Sequence, residues 1–205
     1  MQQESGSRQR MIEATIDLMR SSGLSGAGIN EIVRASGAPK GSVYHFFPGG
    51  KQQIAAEALA AYSHRVMAFI ETALASQKNP SSKVRALFDA FAHRVEDAQF
   101  RKSCAAGTVC LDLDADLEAL RSVVADAFEA WTAVIARHFA QGDSRAARSF
   151  AGLLLTAFEG AYIRARAERS SRPFKEAGTW LASAAAAHFG PATAPVRRSG
   201  RTRAT

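Results

Sequence analysis

From Ser7 to Ser22, Met11, Ile12, Thr15, Ile16 and Met19 recur at three- and four-residue intervals, the spacing of one helix face. Gly23 follows as a stop, and Ser7 is the expected N-cap. A shorter helix places Ile29, Ile32 and Val33 on one face and ends at Gly37. A third is predicted from Pro39 to Phe47, because proline suits the first turn of a helix, and Pro48-Gly49-Gly50 then breaks the chain. These three pieces are too short to be stable singly and must pack as a unit. Longer patterns follow, from about Lys51 to Gln77 and from Ser81 or Ser82 to Asp97, with Asn79-Pro80 between them. The second carries Val84, Leu87, Phe88 and Phe91. Leu117, Leu120, Val124, Phe128, Trp131 and Ile135 mark a helix over 116–140, closed by Gly142-Asp143. Two more run from Ser144 to Arg169 and from Pro173 to Phe189. Over 98–115 the pattern is weak, and a short helix between two turns is expected. There is no internal repeat. The prediction is an all-α chain of about nine helices, a small N-terminal module followed by a larger bundle.

Composition supports this. The 205 residues include 42 Ala, the best helix former, and only 6 Pro. With 47% hydrophobic and 22% charged residues the chain is globular rather than disordered. No apolar stretch approaches the ~20 residues that cross a bilayer, and Met1-Gln2-Gln3-Glu4-Ser5 shows no basic region leading into an apolar run. Two cysteines in such a chain fit reduced cytoplasmic thiols. The net charge of +7 points to an anionic partner, but it is unevenly spread. Residues 1–51 hold six basic and four acidic residues, 52–189 hold sixteen and fifteen, and 190–205 hold four and none. The expected division is a module over 1–51, a bundle over 52–189 and a basic disordered tail over 190–205.

The chemistry concentrates in residues 28–51. A helix ending at Gly37 and another starting within two residues is the spacing of a helix-turn-helix, whose second helix enters the DNA major groove by its N-terminal end. Ala38, Pro39, Lys40, Gly41 and Ser42 surround that first turn. Small residues let backbone approach base edges, and free helix-terminal amides attract phosphate. Val43 and Phe47 are expected to face inward, and Tyr44, His45 and Lys51 to reach phosphate oxygens. N-terminal arginines such as Arg8 and Arg10 are expected to add to DNA affinity.

The run Pro39-Lys40-Gly41-Ser42-Val43-Tyr44-His45-Phe46-Phe47-Pro48 closely resembles the recognition helix of TetR-family transcriptional regulators, and the resemblance covers roughly residues 8–55. It implies a cytoplasmic homodimer that binds a palindromic double-stranded operator and is released by a small-molecule effector held in the C-terminal bundle. Carried over, Lys40, Gly41 and Ser42 would meet bases or adjacent phosphates, and Tyr44, His45 and Lys51 phosphate. Where the family often has a capping Thr or Ser before the second helix, this chain has Ala27, leaving Gly28 to offer only its amide. Pro48-Gly49-Gly50-Lys51 and a mid-chain Cys followed by Leu111-Asp112 are similar to the lincomycin-resistance and flavonoid-responsive repressors, whose effectors are planar aromatic compounds. The segment here starts Ser103-Cys104 where that subgroup starts Gly-Cys.

Other constellations are weaker. Cys104 and Cys110 have only His93 nearby, so buried packing is expected rather than a metal or redox site. Asp112, Asp114, Asp116 and Glu118 precede a helix, where capping explains them. No phosphate loop, nucleophile elbow or zinc-protease pattern is present, so no cofactor, metal or catalysis is expected. Phe88, Phe128 and Trp131 are the predicted lining of an apolar effector pocket. Ala157, Gly160, Ala161 and Ala165, with Ala184 to Ala187, form small-residue seams expected at a dimer surface. A helical carrier with a vestigial N-terminal unit, and a nonspecific DNA binder using the tail, remain alternatives.

Overall fold

The computed structural model describes residues 2–39, 41–140 and 143–190. Lys40, Gly142 and the tail expected beyond Gly190 lie outside the described residues. Among these residues there are nine α-helices and no strand. They are α1 (Gln2–Ser22), α2 (Ile29–Ser36), α3 (Ser42–Phe46), α4 (Gly50–Ala75), α5 (Pro80–Asp97), α6 (Ala105–Cys110), α7 (Glu118–Arg137), α8 (Ser144–Glu168) and α9 (Arg172–Phe189). A 3-10 turn, Ala115–Leu117, precedes α7.

Two boundaries differ from expectation. α1 begins at Gln2, so Ser7 lies inside it and does not cap it. The preceding residues are polar and carry no apolar spacing that would announce a helix. α3 begins at Ser42 rather than Pro39, with Gly41 at its N-cap. Elsewhere the starts follow local chemistry. The Asn79 side chain accepts from Ser82 N at 2.8 Å with Pro80 in the first turn of α5, and Asp143 accepts from Arg145 N and Ala146 N at 2.8 and 3.2 Å. Such caps contribute about 0.5–2 kcal/mol each.

α4 joins module and bundle: it packs against α1 and, further along, against α5 and α7. α5 lies along α9, and α7 along α8. The α5–α9 contact is close because residue 178 is glycine. A Cβ there would sit 2.7 Å from Phe88 Cβ. Phe88 itself is fully buried and stacks on Phe158 at 4.1 Å between ring centroids. Trp131 is also buried, and its Nε1–H donates to Ser63 Oγ at 3.0 Å. Both residues were expected in a pocket and are instead core. Burying each ring contributes about 1.5–3 kcal/mol, and an unpaired indole N–H at Trp131 would cost about 1–3.

Candidate functional site

The turn between α2 and α3 is set by Gly37, which ends α2 in the left-handed region at φ 63°. Val43 and Phe47 are fully buried and hold α3 on the module, leaving its other face outward. Tyr44 is 61% exposed, and His45, Gly41 and Pro39 are exposed beside it, with Ser42 half-buried. Ala38, expected on the same surface, is buried and belongs to the core, because the chain turns inward there. The α2 cap is Gly28, one residue after the position expected from the family pattern, while Ala27 is buried. α2, α3 and α4 all start at glycine, Gly28, Gly41 and Gly49, without a side-chain cap. Lys51 lies half-buried in the first turn of α4. Arg8 and Arg10 are engaged within the module: Arg8 pairs with Glu57 and lies 5.0 Å over the Phe47 ring, and Arg10 Nε donates to Ser36 O at 3.1 Å. These contacts brace α1 against α2 and α4.

A second feature lies under α6. A cavity of about 260 Å³ is lined by Ser103, Cys104, Gly107, Thr108, Cys110 and Leu111, and by Phe128, Glu159, Tyr162 and Ile163 from α7 and α8. Of the three aromatic residues expected in a pocket, Phe128 is the one found in this lining. Cys104 is buried and caps α6, its Sγ accepting from Gly107 N at 3.5 Å, whereas Cys110 is exposed at the rim. Burial of both thiols, as expected, therefore holds for Cys104 alone. The Cys104 thiol donates to Glu159, whose carboxyl burial pushes up to about 7.

The segment that roofs this cavity is bonded to the N-terminal module. Ser103 N donates to Arg20 O at 2.8 Å, and Arg20 Nε returns a bond to Ser103 O at 3.1 Å. The Thr108 hydroxyl donates to Met19 O at 2.7 Å. Ser25 N, in the turn between α1 and α2, donates to the Asp112 carboxylate at 2.9 Å. Asp112 thus ties α6 to the module, a role beyond capping, while Asp114 accepts from Asp116 N as a cap. Among the described residues no group of three or more His, Cys, Asp or Glu is placed to hold a metal ion.

Residues 11–58 match the description "Bacterial regulatory proteins, tetR family", and residues 80–179 match "Transcriptional regulator LmrA/YxaF-like, C-terminal domain". The chain is 31% identical over 131 residues to the uncharacterized HTH-type transcriptional regulator YxaF of Bacillus subtilis, covering 64% of this chain and 69% of that one. It is 31% identical over 175 residues to the uncharacterized regulator Rv0196 of Mycobacterium tuberculosis, covering 82% and 88%. The chain belongs to the TetR family. Its relatives are DNA-binding transcriptional regulators, not enzymes, and its C-terminal domain is of the LmrA/YxaF type. The fold agrees with a TetR regulatory protein from Rhodobacter sphaeroides, at TM-score 0.77 and 22% identity over 86% of this chain and 97% of that one. It also agrees with a cysteine mutant of the TetR-family regulator CifR complexed with a 26-bp double-strand operator DNA, at TM-score 0.73 and 17% identity over 85% and 94%.

In this TetR-family chain the small-residue seams divide. Ala161, Ala165 and Ala185 are buried within the protomer. The opposite side of α8 and α9 exposes Leu153, Gly160, Ile163 and Trp180, the last at 79%. No described helix is long and apolar enough to cross a membrane. Sequence reasoning missed Glu159, although one signal existed: it interrupts the apolar stripe of α8 formed by Leu155, Phe158 and Tyr162.

Proposed function

We propose that this TetR-family regulator is a cytoplasmic homodimeric repressor that binds a palindromic operator and is released by a small effector. In this reading α3 enters the major groove. Pro39, Lys40, Gly41 and Ser42 lie against base edges and neighbouring phosphates, while Tyr44, His45, Lys51 and the Gly28 amide lie on phosphates. Two protomers pair through the exposed apolar face of α8 and α9, since a large exposed apolar patch on a soluble surface marks an interaction site. Two-fold pairing then sets the reading heads about one DNA turn apart, roughly 34–36 Å.

The observation that carries the reading is that α6 is at once the roof of the cavity and bonded to α1. An occupant that displaces α6 acts on Met19, Arg20 and Ser25 through three short links. α4, packed against the same bundle, is the second lever. Coupling of about 1–3 kcal/mol, roughly a 5- to 150-fold change in operator affinity, is typical of such linkage.

The test is fluorescence anisotropy of the full chain against tiled DNA from around its own gene and from genome-wide selection, each beside a scrambled competitor at two salt concentrations. A tile bound at least a hundredfold more tightly than the scramble supports the reading. Equal weak binding everywhere that salt abolishes overturns it in favour of a nonspecific binder.

A further inference from the structure

The cavity under α6 has an unusual balance of groups. Its walls are aromatic and aliphatic, with Phe128, Tyr162, Leu111 and Ile163, yet a carboxylate, Glu159, stands among them. No Lys, Arg or His is in the lining. Several other glutamates of the chain are paired with cations: Glu13 with Arg65, Glu57 with Arg8, Glu118 with Arg121, Glu129 with Arg148 and Glu168 with Arg164. Glu159 instead has the Cys104 thiol, a weak donor. The backbone also makes room for this carboxylate. A Cβ on Gly107 would stand 2.1 Å from Glu159 Oε2, so the group occupies its position only because residue 107 lacks a side chain.

We propose that this cavity binds a one- or two-ring aromatic amine in its protonated form, with the ammonium on Glu159 and the ring against Phe128 and Tyr162. The inference rests on the effector-responsive reading above and names the chemistry of that effector. A half-buried carboxylate among apolar side chains without a cation is costly, and an ammonium from outside supplies the missing partner. Ring faces carry negative potential and favour a cation beside them. The volume, about 260 Å³, lies just below the range of drug-sized pockets and suits a small bicyclic compound. An aromatic carboxylate would meet like charge.

The pH dependence follows from the groups facing Glu159. These are Cys104 and Cys110 from the α6 segment and Tyr162 from its own helix. Burial pushes the Cys104 thiol and the Tyr162 phenol well up, so both stay neutral around pH 7. The Glu159 carboxyl, held at about 7, therefore passes from roughly one-tenth to nine-tenths ionised between pH 6 and pH 8.

The experiment is isothermal titration calorimetry on the full chain without DNA, using 1-naphthylmethylamine, 1-naphthalenemethanol and 1-naphthoate. The amine is expected to bind at least tenfold more tightly than the alcohol, and the naphthoate not at all. Amine affinity should rise about tenfold from pH 6 to pH 8. Glu159→Gln should reduce the amine to the alcohol's affinity and flatten the pH profile. Gly107→Ala, which forces the carboxylate aside, should do the same should the first variant fold poorly, while Glu129→Gln, outside the cavity, leaves the profile unchanged. Equal affinity for amine and alcohol, an amine preference surviving both cavity variants, or no binding of any probe overturns the proposal. Operator anisotropy separates the two readings. Amine binding with no operator release preserves the cavity chemistry and removes the coupling, whereas release by a neutral compound alone does the reverse.

Discussion

Gly41→Ala separates the reading surface from the fold more cleanly than any charge removal. Gly41 is exposed at the start of α3 with φ −65° and ψ −23°, a conformation that alanine adopts freely, and a Cβ built there has no heavy atom within 4 Å. Alanine is a poorer N-cap than glycine by about 0.5 kcal/mol, and its lower entropy in the unfolded chain offsets this by about 0.4–1. Stability should therefore stay within ~0.5 kcal/mol of the parent. On DNA the same methyl stands between the α3 backbone and the groove. Losing one charge-assisted bond from a backbone amide to phosphate costs about 1.5–3 kcal/mol. With one such loss in each half-site, about 3 kcal/mol at the least, operator affinity should fall by more than about a hundredfold.

Gly37→Ala is the counterpart. That residue also has open space around it, but its φ of 63° strains any L side chain. The cost, about 1–2 kcal/mol, falls on the fold and should lower the melting temperature by roughly 2–8 °C. Thermal melts and anisotropy on operator and scrambled DNA check both variants. A Gly41→Ala protein that melts like the parent and binds its operator like the parent would show that the α3 N-terminus does not face DNA. An equal loss on operator and scramble would also refute the reasoning, since a misplaced reading helix must reduce discrimination.

Leu153→Glu with Trp180→Glu places charge on the exposed face of α8 and α9 and should convert a dimer to monomers in sedimentation velocity; a persistent dimer would move the interface elsewhere. Thr108→Val with Asp112→Ala removes two of the links between α6 and α1, each worth about 0.5–1.5 kcal/mol. Effector affinity without DNA should hold while effector-induced operator release shrinks by at least fivefold, and undiminished release would assign the coupling to α4. Glu159 also predicts a stability effect. Its carboxyl is raised in the fold to about 7 from about 4.5, so the protonated form is favoured on folding. That contribution is fully present below about pH 4.5 and is lost as pH rises through 7, by ~3 kcal/mol at most. Glu159→Gln should therefore raise the melting temperature at pH 8 by several degrees relative to parent and leave pH 4.5 unaffected. Equal shifts at both pH values would show that the carboxyl is not held out of water.

What was legible in the sequence was local. Gly37, the Pro39 to Pro48 string and the apolar spacing of α4, α5 and α7 each encode their own turn or face, so the module and the helical bundle could be anticipated from neighbours in the chain. The cavity could not. Periodicity says that Phe88, Phe128 and Trp131 face inward, but only the path of α6, in the weakly patterned stretch 98–115, decides which of them borders a void. Phe88 meets Phe158 and Gly178, Trp131 meets Ser63, and Phe128 alone of the three reaches the space under α6. The Ala seams divide for a related reason. Small residues permit close approach from either side, and the protomer itself uses Ala161, Ala165 and Ala185.

The three surfaces proposed to act are also the places where this chain departs from what stability alone would select. α5 and α8 begin at Asn79 and Asp143 with bonded side-chain caps, α7 and α9 begin without one, and α2, α3 and α4 begin at glycines, Gly28, Gly41 and Gly49, which have no side chain to offer. Glycine in place of a capping side chain leaves only about a few tenths of a kcal/mol unrealised at each start, on the side where α3 exposes Tyr44 and His45. Glu159 is held among apolar side chains without a cation, and Leu153 and Trp180 stand in water. Such departures are expected at functional sites, where a partner completes what the isolated fold leaves unmet. In the proposed function DNA phosphate would complete the α3 surface, an ammonium the carboxylate, and a second protomer the exposed indole. In the proposed function the links from Ser103 and Thr108 to α1, and from Asp112 to Ser25 in the turn after it, are what would make these completions interdependent, because an occupant that displaced α6 would pull on the N-terminal module.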